Sequence, residues 1–331
     1  MEAPVERSAW REQLKPLLVA NPLRSTGQVL SCVVPYLGIW LAAAAFGPLP
    51  WLAYVLLGVV ATALLIRMYS LFHDLCHGAL YRSRATNRRV GHLLGFLLFT
   101  PYAWWQRQHN RHHAHNGDLD HRGPGEIYTM TVGEYRAATP LRRLGYRIYR
   151  HPVLLLLLGP TLVFLFERRF PQRGMSRRML ASVVFTNLML AAWVATWIVA
   201  LGLVPFLILQ GTTVVLGGAV GAWMLYIQHQ YEHTYMARNE EWSFELAAIQ
   251  GSSFLRLPRI GDWILGNANY HHVHHLSARI PNYRLREAHH TLDAFRQTPV
   301  VTLFGSWRCF ALKLWDEQAQ QLVSFRAVRG T

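Results

Sequence analysis

The chain has 331 residues, 52% of them hydrophobic, with a positive mean hydropathy of +0.12 and a formal net charge of +15. So apolar a composition argues against the one to three water-soluble domains that this length would otherwise suggest. The basic residues gather in short clusters at 82–89, 142–150 and 168–178, between apolar runs, a distribution that argues against nucleic acid as the partner and fits the basic loops on one side of a membrane.

In chain order, the first 27 residues are charged and amphipathic and lack the pattern of a cleavable signal peptide. Residues 25–66 contain no Asp, Glu, Lys or Arg, and a bilayer crossing takes about 20 apolar residues. Gly47-Pro48-Leu49-Pro50 divides this stretch into two expected transmembrane helices, 28–46 and 51–70. The cluster His73-Asp-Leu-Cys-His77 follows. The run 90–105 has an apolar heart of about ten residues, too short to cross, and is expected to dip into the interface. It leads to a second cluster, His109-Asn-Arg-His112-His113.

Residues 152–166 are apolar but borderline in length, and Gly159-Pro160 is expected to kink them. If they crossed, the arginines of 168–178 would face outward, against the charge rule. They are therefore expected to be in-plane or re-entrant. Residues 179–231 again contain no Asp, Glu, Lys or Arg, and the break at Gly202–Pro205 gives helices 179–201 and 205–228, with His229 just beyond the second. The third cluster, His271-His272-Val273-His274-His275, lies in a mixed polar and aromatic tail, 229–331.

The expected fold is an all-α integral membrane protein, a single domain over 1–331. Four transmembrane helices carry short re-entrant or in-plane helices and a helical cap, 71–178 and 229–331, that bears the histidine clusters. Four crossings put all three clusters on one side, with both termini, and the basic loops make that side cytoplasmic. One misplaced crossing would scatter the histidines.

Seventeen histidines are present. On a helix, residues at i, i+3 and i+4 share a face, so His73 with His77, His109 with His112 and His113, and His271 with His274 and His275 each converge. With His229 they make nine imidazoles, more than one structural zinc takes. Their number points to two ions, while imidazole alone does not name the metal. His272 is turned about 100° from His271, and His233 closes an apparent fourth box, His229-Gln-Tyr-Glu-His233. His92, His115, His121, His151, His289 and His290 read as surface or supporting residues. Of the carboxylates that could orient imidazoles (Asp74, Asp118, Asp120 and Glu232), Asp74 and Glu232 are favoured because they lie within the histidine runs. Cys32, Cys76 and Cys309 are too scattered for a disulfide framework or a thiolate site, and Cys76 reads as a packing residue.

At these residues the chain resembles the membrane fatty acid desaturases, particularly their acyl-lipid omega-6, or delta-12-like, branch in bacteria and plastids. The resemblance rests on HDLCH at 73–77, HNRHHAHNGDLDHRGPGEIYTMTVGEY at 109–135, QHQYE at 228–232 and LPRIGDWILGNANYHHVHHLSARIPNYRLREAH at 257–289. It covers about residues 60–290 and is most specific in the last run. It implies two non-haem irons at the cytoplasmic membrane surface, held by His73, His77, His109, His112, His113, His229, His271, His274 and His275. Leu225 stands where the acyl-CoA branch has an asparagine, and no H-P-G-G haem signature is present, so electrons are expected from a separate carrier such as ferredoxin.

The expected reaction is O2-dependent desaturation of a long-chain fatty acyl group in a membrane lipid, in a bacterial inner membrane. A di-iron hydroxylase or ketolase is the near rival. A metal transporter or haem carrier is a distant one, because those functions place ligand or ionisable residues within the spans.

Overall fold

The computed structural model describes residues 7–123 and 125–328. The first six residues of the amphipathic N-terminal segment, Pro124 and the last three residues lie outside these, so both extreme termini, expected on the cytoplasmic side, do too. Helix α1 (Arg7–Leu14) leads to α2 (Pro22–Phe46), where Asn21 accepts the Arg24 N–H and Pro22 opens the first turn. There follow α3 (Trp51–His77), α4 (Arg84–Leu97), α5 (Tyr102–His115), strand β1 (Met130–Thr131), α6 (Val132–Ala137), α7 (Pro140–Tyr149) and α8 (Gly159–Leu165). Then come the long helices α9 (Arg177–Leu201) and α10 (Leu203–His229). The remainder holds α11 (Phe244–Ile249), β2 (Phe254–Arg256), α12 (Arg259–Ile264), α13 (His271–Leu276), α14 (Leu285–His289), β3 (Val300–Thr302), α15 (Ser306–Cys309), β4 (Leu314–Asp316) and β5 (Gln321–Val323).

Helices α2, α3, α9 and α10, of 25, 27, 25 and 27 residues, are long and apolar enough to cross a membrane. This is a membrane protein. All four are longer than their apolar stretches predict, because backbone hydrogen bonding does not stop where apolar residues do. Helix α3 runs straight through the first histidine box and ends only at Gly78, whose φ of 69° is the left-handed cap that glycine adopts without penalty. Helix α10 likewise ends on His229.

The bundle is packed by close approaches. A Cβ on Gly58 of α3 would sit 2.7 Å from Thr212 of α10, so glycine lets these two helices meet. Tyr36 and Trp40 of α2, Trp193 and Trp197 of α9 and Phe206 of α10 form an aromatic cluster with centroids 5.1–6.4 Å apart. Leu30, Val34, Leu41, Val60, Leu188 and Val199 point outward and are exposed, as helices in contact with lipid require.

Two expected apolar segments take other forms. The run 90–105 is not one element. It is the second half of α4, a turn at 98–101 and the start of α5. The two helices pack so tightly that a Cβ on Gly91 would lie 2.2 Å from the Tyr102 ring. Residues 152–166 are helical but begin with a π-helical turn, Leu154–Leu158, in which Gly159 N–H donates to Leu154 C=O. That wider turn directly precedes Pro160, and a 62° bend separates α7 from the segment from Leu154 onward.

The all-α expectation is corrected in the cap. Two small sheets are present: β1 runs parallel to β4 and β4 antiparallel to β5, while β2 runs parallel to β3. Their strands are two or three residues long, too short to show alternation in sequence. They fasten distant cap segments together, Met130 against Leu314 and Phe254 against Val300.

Candidate metal centre

All nine predicted histidines gather at one end of the bundle, in two groups. His73, His77, His109, His113 and His274 form one, and His112, His229, His271 and His275 the other. Each box contributes to this division through helical geometry. His112 and His113 are adjacent in α5, hence about 100° apart around the helix, and they go to different groups. In α13, His274 joins the five while His271 and His275 join the four. The expectation that each cluster presents a single face holds for the first box and is refined for the other two. The groups abut, with the His113 and His275 rings stacked at 4.2 Å.

Within each group the ring nitrogens face one another. His113 Nε2 is 3.0 Å from His109 Nε2 and 2.9 Å from His274 Nε2. His271 Nε2 is 2.9 Å from His229 Nε2 and 3.0 Å from His275 Nε2. One nitrogen cannot complete two such hydrogen bonds with neutral partners on both sides. Among the described residues His77 Nε2 and His112 Nε2 are buried with no hydrogen-bond partner, a state that costs about 1–3 kcal/mol per group. A cation shared by the converging lone pairs removes both difficulties, so the residues fit a metal. With bonds of about 2.1 Å, nitrogens at right angles around an ion stand about 3.0 Å apart and at tetrahedral angles about 3.4 Å. The observed spacings of 2.9–3.0 Å are close enough for the paired nitrogens to share one ion.

Electrostatics agree. Burial, with neighbouring imidazoles adding to it, holds His109, His113, His271, His274 and His275 well below the ordinary histidine range. Burial alone lowers His112 to about 4. These imidazoles are neutral at pH 7, with lone pairs free to bind.

The ring orientations are set from behind. His229 Nδ1 donates to Gly251 C=O at 2.9 Å, which leaves Nε2 facing the other imidazoles of its group. Trp105 stacks on His109 at 4.3 Å. Asp74 lies with Oδ1 3.9 Å from His73 Nδ1, and its Oδ2 accepts the Asn282 N–H at 2.7 Å, which ties the first box to the tail of the third.

Glu126 was not singled out from sequence. Its carboxylate stands 3.6 Å from His112 Nδ1, and burial pushes it up to about 8. It lines a cavity of about 30 Å³, room for one water, together with Asn116, Asp118, His229 and Gln230. Glu232, by contrast, is exposed, and its side chain has no hydrogen bond or ion pair among the described residues. Helix α10 stops at His229, so Glu232 and the exposed His233 do not share its face. His272 is buried outside both groups, with Nε2 2.9 Å from His289 Nδ1, and Cys76 is a buried free thiol within the apolar core.

Arg150 is fully buried and donates to Tyr128 C=O, Thr129 Oγ1, Tyr226 OH, Gln230 Oε1 and Leu312 C=O. It therefore braces the end of α10 rather than acting as a free loop charge. Arg168 and Arg169 bind the 98–101 turn, through Thr100 Oγ1 at 2.8 Å and Phe99 C=O at 2.5 Å.

Comparison with known proteins bears on this centre. The fatty acid desaturase family profile matches residues 46–307. A protein of Bacillus subtilis described as a fatty acid desaturase is 39% identical over 302 residues, 91% of this chain and 86% of the relative. An sn-1 oleoyl-lipid 12-desaturase of Picosynechococcus is 24% identical over 81% of this chain and 76% of its own. An sn-1 acyl-lipid omega-3 desaturase (ferredoxin) of Synechocystis is 26% identical over 72% of this chain and 67% of its own. With its histidine clusters at one end of four apolar helices, the chain belongs to the fatty acid desaturase family and is an oxidoreductase acting on fatty acyl chains.

Proposed function

We propose that this protein desaturates a long-chain fatty acyl group of a membrane lipid, with delta-12/omega-6-like regiochemistry, at a di-iron centre held by the nine histidines. The observation that carries the reading is the division of nine buried imidazoles into adjoining groups of five and four at one end of an apolar bundle. The names of the cyanobacterial relatives support an acyl-lipid substrate.

Two irons in these groups would supply the O2-dependent removal of hydrogen from unactivated methylenes, chemistry that side chains do not perform. Converting –CH2–CH2– to –CH=CH– while O2 becomes two waters takes two further electrons and two protons. The electrons come from a separate carrier, by analogy with the ferredoxin named for the Synechocystis relative. The chain's own part is to hold neutral imidazoles in fixed directions, through the Gly251 carbonyl on His229 and the Trp105 ring on His109, with Asp74 and Glu126 close to His73 and His112.

The whole chain acts as one domain. Residues 90–105 and 152–166 do not cross, and the histidine end faces the cytoplasm of a bacterial inner membrane. Basic residues of 82–89 and 168–178 flank that end, as the charge rule requires.

Expression in a host without polyunsaturated lipids, with double-bond mapping by mass spectrometry, tests the reading. The expected product has lost two hydrogens, near the delta-12 position. A product that gained oxygen would make the enzyme a hydroxylase or ketolase. No product with iron and a donor supplied would remove the proposal. Purified protein should contain two irons per chain and show no haem absorption.

A further inference from the structure

We propose that His115, Asp118 and His121 form a third metal site, on the surface of the cap, that takes one divalent cation of the zinc class. Their ligand atoms, one from each residue, lie within 4.8 Å of one another, and none of the three belongs to the nine-histidine groups.

The site is built on a loop whose shape is fixed by other contacts. His115 is the last residue of α5, and Gly117 reverses the chain with φ 74°. A Cβ at 117 would meet Tyr235 C=O at 2.7 Å, so glycine is required twice over. The loop then pairs with the 235–239 segment. Leu119 N–H donates to Ala237 C=O, Ala237 N–H to Gly117 C=O, and Asp120 accepts from Arg238 and from Asn239 N–H. The three candidate ligands are therefore placed before any ion arrives.

Asp118 is the centre of the cluster and is buried, with its side chain 2% exposed. Its Oδ1 accepts two backbone N–H groups, Asp120 at 2.9 Å and His121 at 3.2 Å. Its Oδ2 is left to two imidazoles, His121 Nδ1 at 2.8 Å and His115 Nδ1 at 3.8 Å. Among the described residues no Lys or Arg forms an ion pair with this carboxylate. A plain Asp–His hydrogen bond would account for His121. It does not account for His115, whose ring turns Nδ1 toward the same oxygen, beyond hydrogen-bond reach, and lies 5.0 Å from the His121 ring.

Two imidazole nitrogens and one carboxylate oxygen are a familiar donor set for zinc, with bonds of about 2.0–2.2 Å. At tetrahedral angles such atoms stand about 3.4 Å apart, and the two observed separations bracket that value. The His115 and His121 side chains are 35% and 47% exposed, so water completes the coordination. The set is mixed and open to solvent, whereas the main centre is all imidazole and largely enclosed.

The test uses the full-length, iron-loaded protein dialysed against zinc alone, with zinc and iron counted per chain by elemental analysis. Wild type should take up about one zinc with its iron unchanged. His121→Ala and His115→Ala should each lose at least tenfold in zinc affinity. His121→Ala, at an exposed position, should retain iron and desaturase activity. Zinc should also slow diethylpyrocarbonate modification of His121, read by peptide mass spectrometry. Zinc uptake equal in wild type and both variants would overturn the proposal. So would zinc entering only by displacing iron, or an absence of protection at His121.

Discussion

The two histidine groups differ in how they are built. The group of five takes two residues from α3, two from α5 and one from α13, so four of its members are paired one helical turn apart on long helices. The group of four takes one residue from α5, one from the end of α10 and two from α13, a helix of six residues. Both groups need α13 to close on the bundle, but in the second the single pair one helical turn apart lies on that six-residue helix itself. The first group has a spare ligand and a stiff frame, while the second has neither.

The largest expected effects lie in the weaker-framed group. His112→Ala or His271→Ala should lower desaturation by more than the ~10–100-fold typical of losing an orienting partner, and should reduce bound iron from two toward one per chain. His77→Ala, which leaves four imidazoles in its group, should cost less in both readouts. Equal losses from the two groups would erase the distinction.

Glu126→Gln tests the support behind the group of four. Activity or iron affinity should fall ~10–100-fold, with the protein still folded, whereas Glu232→Ala should leave both unchanged. Gly91→Ala acts on the frame of the other group. Pushing Tyr102 would loosen its hydrogen bond to Leu75 C=O, 2.9 Å long, and overpacking of this kind costs about 1–3 kcal/mol. It should appear as a lower melting temperature before any loss of iron.

The smallest effect concerns His289, outside both groups, which burial lowers from 6.5 to about 4. The unfolded chain binds this proton below pH 6.5 and the folded one only near pH 4. Stability is thus fully present above 6.5 and declines as pH falls toward 4. His289→Leu should flatten that part of the stability profile in denaturant titrations, and an unchanged slope would show that the burial of His289 does not contribute.

Much of this was legible in the sequence, for physical reasons. Stretches such as 25–66 and 179–231, free of Asp, Glu, Lys and Arg, left few alternatives to spanning helices, and i, i+3, i+4 spacing identified the box histidines. His229 was visible as the end of an apolar run. The split of His112 from His113 was not, because it depends on which neighbour each side of α5 meets. Glu126 sits on a loop after the second box, where no periodicity links it to His112. Glu232 was favoured by adjacency in sequence, yet the helix that would have carried it inward ends three residues earlier. The strands of the cap are too short to announce themselves.

The bond from Asn282 N–H to Asp74 Oδ2 also has a consequence in time. It joins the first box to a residue roughly 200 positions later, and the last histidines precede it only slightly. At synthesis rates of about 5–20 residues per second, that interval is ~10–40 s. During it the imidazoles of the first two boxes exist without their partners from α10 and α13. Selective metal loading therefore belongs after insertion of the fourth span, when α13 closes both groups, and a chain stalled before residue 271 would offer only a partial ligand set to whatever metal is most available.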